Sequence, residues 1–294
     1  YWGNSDGTPQ TGWLKAGGQW YWLNPDNDGR MAKGWAQIDG RWYYLNGSGA
    51  MQSGGWMKLG KTWYYLSNSG AMAEGWKKIK GAWYYLKPES GAMATGWAHD
   101  GSHWYRMSDS GSMLTGWQKV GGKWYLLKNS GVMAEGWAKV SGTWYYLNKA
   151  GEGTECAMVS NAWKKVNGNW YHFAKSGAMQ TGWQKINGAW YYLNKKGEGT
   201  EGAMRTGWQK INGAWYYLNK AGQGTEGAMK TGWFNDNGTW YYLLTAAEGT
   251  EGKMVSNQWK QINGSWFYFY ASGAMAANTW VGNYYVDANG YWVR

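Results

Sequence analysis

Apolar and polar positions alternate in a block that recurs along the chain. Its clearest copy, TGWQKINGAWYYLNK, starts at Thr181 and again at Thr206. Within residues 183–193, two short alternating runs flank Asn187-Gly188, the strongest short signal for a type I′ hairpin turn. With a two-residue turn, Ile186 faces Ala189, Lys185 faces Trp190 and Trp183 faces Tyr192. Cross-strand partners share a face, and successive residues change face. Trp183, Trp190 and Tyr192 are therefore expected on one side, and Ile186, Tyr191 and Leu193 on the other. Tryptophan pairs spaced seven apart recur twelve times, from Trp13/Trp20 to Trp259/Trp266, each followed by a Met. Gly holds the second turn position in ten of the twelve units. Gly60-Lys61 and Gly101-Ser102 place it first, which suits a type II′ turn. A lone hairpin is marginal in water and both faces here are apolar, so the units are expected to stack.

The first Trp recurs at steps of 20–22 residues up to Trp137, then at steps that reach 26. The extra residues sit at one place, in Gly151-Glu152-Gly153-Thr154-Glu155 and in matching stretches at 197–201, 222–226 and 247–251. Insertions at a fixed point of a repeat map to loops on one side. The spacing predicts a regular region over 1–136 and a long-loop region over 137–294, continuous with each other. Both ends are atypical, as stacked repeats require. Tyr1-Trp2 reads as the end of a preceding unit, and Trp280 begins a thirteenth whose pairing stops at Asp287.

Composition narrows the picture. The 294 residues include 28 Trp and 24 Tyr, but Leu, Ile, Val and Phe together supply only 32. Disordered chains lack aromatics, so this chain folds, and its core is expected from Trp, Tyr and Met. No run approaches the ~18 apolar residues of a membrane-spanning helix. A single cysteine, Cys156, excludes a disulfide framework. No charged and apolar leader opens the chain, so any secretion signal is expected to be already removed or never present. The net charge of +11 favours contact with polyanions without choosing among them.

Several aromatic walls around a small space suit a desolvated cation, above all a quaternary ammonium. The unit GW-x5-GxWYYLN-x-x-G-x-M resembles the choline-binding, or cell-wall-binding, repeats of pneumococcal surface proteins, and the resemblance spans essentially the whole chain. It implies an all-β fold, a left-handed solenoid of stacked two-stranded hairpins. It also implies choline held between consecutive hairpins by two Trp of one repeat and a Tyr of the next. The ligand implied is phosphocholine on teichoic and lipoteichoic acids, bound by a secreted protein attached to the bacterial cell wall. Placing the third wall two residues after the second Trp of the next unit gives eight complete sets. They are Trp13, Trp20 with Tyr44; Trp35, Trp42 with Tyr65; Trp56, Trp63 with Tyr85; and Trp117, Trp124 with Tyr146. In the long-loop region they are Trp163, Trp170 with Tyr192; Trp183, Trp190 with Tyr217; Trp208, Trp215 with Tyr242; and Trp233, Trp240 with Tyr268. The same rule puts Arg106, Leu126 and His172 opposite Trp76/Trp83, Trp97/Trp104 and Trp137/Trp144, and predicts three weak or absent sites.

Other chemistry is thin. His99 and His103 straddle a predicted turn, which argues against a zinc pair. Asp26-Asn27-Asp28-Gly29 lacks the later bidentate Glu of a calcium loop and reads as a polar turn. Cys156 in GTECAM stands where related units carry Gly, so it reads as a replaced loop Gly rather than a nucleophile. The Glu of the long loops are repeat copies, not one convergent pair. The expectation is a non-enzyme without cofactor or metal that occupies wall choline and restrains choline-dependent wall hydrolases. An adhesin presenting the long loops to a host surface protein and a glucan-binding repeat protein are the alternatives. Single-stranded nucleic acid ranks last, because many Lys lie within the repeat strands rather than along a groove.

Overall fold

The computed structural model describes residues 2–293. Tyr1, expected to end a preceding repeat, lies outside them, as does Arg294. The described chain is nearly all β, with one 3-10 turn at Pro25–Asn27 inside the polar run at Asp26. Each sheet is a single antiparallel hairpin, save the first, which gains the short strand Arg30–Met31. The register is the one the alternation predicts: Gly182–Ile186 pairs with Ala189–Leu193 through Trp183↔Tyr192, Lys185↔Trp190 and Ile186↔Ala189. Asn187 and Gly188 both take positive φ, 49° and 86°, as a type I′ turn demands. At the Gly101 turn the ladder stops one pair early, at His99↔Trp104. There the Asp100 carboxylate accepts the backbone N–H groups of Ser102 and His103.

Backbone bonds stitch neighbouring hairpins. After each hairpin the chain returns beside its second strand, as in the bridge Leu45↔Met51. The Met51 N–H then donates to the carbonyl of Trp20 in the preceding hairpin at 2.7 Å, and Met204 repeats this on Trp170 at 2.9 Å. The chain forms two compact units, Tyr1–Gly136 with Leu147–Met158, and Trp137–Tyr146 with Val159–Arg294. Within each, the hairpins stack as an all-β repeat solenoid.

The core differs from the composition-based expectation. Its most buried column is largely aliphatic, one residue per repeat. Leu23, Leu45, Leu66, Leu86, Met107, Leu127 and Leu147 serve in the first unit, and Phe173, Leu193, Leu218, Leu243, Phe269 and Val286 in the second. None exceeds 1% exposure. Tyrosines such as Tyr146, Tyr192 and Tyr217 close around the column, while the second Trp of many pairs stays exposed. One aliphatic per short repeat fills a narrow stack, which frees the indoles from packing duty.

In most G-x-M segments the Gly sits against the preceding Met, whereas Gly29 approaches the Gln10 carbonyl instead. A Cβ on Gly70 would fall 2.4 Å from Met51 Sδ, and Gly70 has φ +86°. Cys156 holds this place in its repeat with φ 57°, buried. Burial, and then the carboxylates of Glu155 and Glu135, push its thiol up to about 11, so it stays protonated and unreactive at neutral pH. Left-handed backbone costs a non-Gly residue about 1–2 kcal/mol. Cys156→Gly is therefore expected to stabilise the fold by ~0.5–1 kcal/mol after loss of the buried thiol and gain of chain freedom. A denaturation midpoint at or below that of the parent chain would contradict this.

Candidate functional site

Within each compact unit, the first Trp of a hairpin meets a ring of the next hairpin, as Trp13 meets Tyr43 and Trp183 meets Tyr216. Trp13 and Trp20 stand edge to face at 6.4 Å, and Tyr43 lies 5.0 Å from Trp13. With Met51 and Ser69 these rings line a cavity of about 310 Å³. Trp137, Trp144, Tyr171 and Met179 line another of about 270 Å³, and Trp183, Trp190, Tyr216 and Met229 one of about 250 Å³.

The third ring comes one residue earlier than expected. Tyr64, Tyr84, Tyr191, Tyr216, Tyr241 and Phe267 approach Trp35, Trp56, Trp163, Trp183, Trp208 and Trp233 at 4.8–5.0 Å. The expected residues instead lie against the first Trp of their own hairpins. Tyr44 is 5.2 Å from Trp35, Tyr65 5.2 Å from Trp56 and Tyr85 5.0 Å from Trp76. Tyr192 is 5.2 Å from Trp183, Tyr217 5.1 Å from Trp208, Tyr242 5.1 Å from Trp233 and Tyr268 5.4 Å from Trp259. Stacking is the reason. Trp35, Trp42 and Tyr44 share one face of their hairpin, while Tyr43 pairs with Ala36 on the other. The Trp face of one hairpin meets the opposite face of the next, so the ring it meets is Tyr43. Trp117 and Trp124 stand at 6.5 Å in the first unit, and Tyr146 packs 5.2 Å from Trp137 in the second.

The same shift changes the three positions expected to fail. Trp76 meets Tyr105 at 4.6 Å, Trp97 meets Tyr125 at 5.0 Å and Trp137 meets Tyr171 at 4.8 Å. Arg106 and His172 lie on the Trp of their own hairpins, at 5.2 Å from Trp97 and 4.9 Å from Trp163. Leu126 pairs with Trp117 of its own hairpin. None of the three occupies a third wall.

The choline-binding repeat pattern matches residues 10–56, 32–74, 53–97, 73–115, 114–154, 157–200 and 205–259, and a second form of it matches 253–292. The chain belongs to the choline-binding repeat family. It is similar to the crystal structure of choline binding protein F from Streptococcus pneumoniae, crystal form II. Identity is 31% and TM-score 0.56, over 98% of this chain and 100% of that one. The same protein, in the presence of a tetrasaccharide-pentapeptide peptidoglycan analogue, matches at 32% identity and TM-score 0.57, again over 98% and 100%. CbpJ from Streptococcus pneumoniae TIGR4 matches at 32% identity and TM-score 0.50, over 96% of this chain and 99% of that one. No curated protein sequence matches the chain.

Some cavity residues of this choline-binding repeat chain escaped the sequence reading. A shortened thirteenth hairpin, Thr279–Val281 with Tyr284–Val286, turns at Gly282. It places Tyr284 5.6 Å from Trp259, and Trp292 donates its N–H to the Trp266 carbonyl as the Met residues do elsewhere. Trp259, Trp266, Tyr284 and Trp292 line an all-aromatic cavity of about 300 Å³. The signal in the sequence is Gly282-Asn283 between Trp280 and a Tyr pair, in a unit too short to carry a Trp at position 287.

Lysines sit beside the second Trp because the register pairs them. Lys15, Lys58 and Lys185 hold Nζ 5.7, 5.5 and 5.6 Å from the Trp20, Trp63 and Trp190 rings. Carboxylates anchor several walls. Trp76 Nε1 donates to Asp100 at 3.3 Å, and Trp208 Nε1 to Asp236 at 2.9 Å. Burial, and then its hydrogen bond to Asp100, push the Tyr105 phenol up to about 12. Desolvation would raise Asp100, but the N–H groups of His103 and Ser102 outweigh it and hold the carboxyl at about 2. Tyr105 is thus fixed as a neutral wall across the physiological range. No group of three His, Cys, Asp or Glu able to hold a metal occurs among the described residues. Among the described residues no helix is long and apolar enough to cross a membrane.

Proposed function

We propose that the chain binds the choline groups of phosphocholine-decorated teichoic and lipoteichoic acids at the bacterial cell wall. Each cage takes two Trp of one hairpin and the ring directly after the second Trp of the next. The observation that carries this reading is the partly exposed, edge-to-face Trp pair with a third ring 4.6–5.0 Å from its first member, repeated along the units. Fixed aromatic faces attract a desolvated quaternary cation by about 2 kcal/mol or more. After the costs of association, one cage gives about millimolar affinity. A polymer that presents many choline groups raises this by effective concentration, commonly about 10²–10⁴-fold. The net charge of +11 suits a ligand whose phosphates are anionic and whose head groups are cationic.

The role proposed is non-catalytic: by occupying wall choline, the protein restrains hydrolases that depend on the same groups. Choline is expected to perturb tryptophan emission, elute the chain from a choline-decorated support and raise its melting temperature with concentration. Indifference to choline in all three measurements would end the reading. Unchanged hydrolysis of choline-bearing walls on adding the protein would remove the restraining role alone.

A further inference from the structure

These cages differ at the residue before G-x-M, and the two long-loop cages also carry the threonine that precedes it, Thr200 or Thr250. In SGAM at 69–72 the residue before Gly is Ser69, which lines the cage of Trp13, Trp20, Tyr43 and Met51. In EGAM at 201–204 and EGKM at 251–254 it is Glu201 and Glu251, which line the cages of Trp137/Trp144 and Trp183/Trp190. The following Gly keeps one role in each case. A Cβ on Gly70, Gly202 or Gly252 would fall 2.4, 2.4 or 2.2 Å from Met51, Met179 or Met229 Sδ. The preceding residue is thereby delivered to the same place on the cage rim. Both carboxylates are fixed there: Glu201 Oε2 accepts Trp144 Nε1–H at 3.3 Å, and Glu251 Oε2 accepts Trp190 Nε1–H at 2.9 Å.

A wall of indole, phenol and thioether attracts a cation but supplies no strong acceptor. A quaternary ammonium needs none. A protonated tertiary amine keeps one N–H, and burying that donor unpaired is costly. An ionised carboxylate offers about four lone-pair sites, of which an indole N–H uses one, and its hydrogen bonds to a cation are roughly twice as strong as neutral ones. Taking the cages as cation sites, as proposed above, we infer that Glu201 and Glu251 are specificity-determining residues. They open their cages to tertiary ammonium ions that retain an N–H, whereas the Ser69 cage favours the quaternary ion.

The test uses the full chain labelled with 5-fluorotryptophan, its Trp20, Trp144 and Trp190 resonances assigned by single Trp→Phe variants. Choline and protonated N,N-dimethylethanolamine are titrated separately at neutral pH. The preference for choline is expected to be about tenfold greater at Trp20 than at Trp144 and Trp190, equivalent to about 1.4 kcal/mol. Glu201→Ser and Glu251→Ser should raise the preference at Trp144 and Trp190 to the Trp20 value and leave Trp20 itself unmoved. Equal preference at all three indoles overturns the inference. So does equal weakening of both ligands in the Ser variants, which would make the carboxylate a mere counter-charge. If choline shifts none of the three resonances, the cage reading itself fails and takes this inference with it.

Discussion

Tyr43→Leu is expected to weaken choline binding at the Trp13–Trp20 cage about tenfold or more, since one lost aromatic wall removes on the order of 1–2 kcal/mol. Leucine keeps apolar bulk beside Trp13 but has no π face. Tyr44→Leu should leave the affinity of that cage within about twofold, because Tyr44 packs 5.2 Å from Trp35 in its own hairpin. Its cost should appear instead as a lower melting temperature. The pair separates two registers one residue apart, which look equally aromatic in WYYL. Titrations read at fluorinated Trp13 and Trp20 distinguish them. A reversed outcome, with Tyr44→Leu costing the ligand and Tyr43→Leu sparing it, would reject the cage as built here.

Why the sequence stopped one residue short is instructive. The register inside the twin-Trp hairpins was legible, because a two-residue turn and strict alternation leave one pairing, and Trp183↔Tyr192 and Lys185↔Trp190 obey it. Contacts between hairpins were not. Alternation assigns residues to faces but does not say which face of the next repeat arrives. The expectation of a third wall on the Trp face assumed like meeting like, whereas the stack joins opposite faces. Nor could composition show that a single aliphatic per repeat, such as Leu218, suffices for the buried column. The carboxylates on the cage rims lay further out of reach, since Glu201 and Glu251 meet indoles 57 and 61 residues away in sequence. Reading them as repeat copies was correct as to pattern and silent as to place.

The largest effect on stability is expected from Tyr217→Ala, at ~3–5 kcal/mol, the range for truncating a fully buried aromatic. Tyr217 has no exposed surface. Its ring lies 5.1 Å from Trp208 in its own hairpin and 4.1 Å from Phe234 in the next, so alanine opens a cavity on the seam between repeats. In a stacked-repeat protein each unit draws stability from its neighbours, and a seam defect is felt by both. Tyr217→Phe isolates the hydroxyl, which donates to Gln223 Oε1 at 2.8 Å. Gln223 Oε1 still accepts the Lys220 N–H at 3.1 Å, so the phenylalanine variant should lose only about 1 kcal/mol. Denaturant unfolding followed by tryptophan emission and circular dichroism measures both. Saturating choline should recover part of the loss in the alanine variant, since a ligand of the folded state stabilises by about 2.7 kcal/mol per site at a hundred times Kd. Alanine and phenylalanine variants of equal stability would mean that the ring contributes nothing to the seam, and that packing between repeats lies elsewhere.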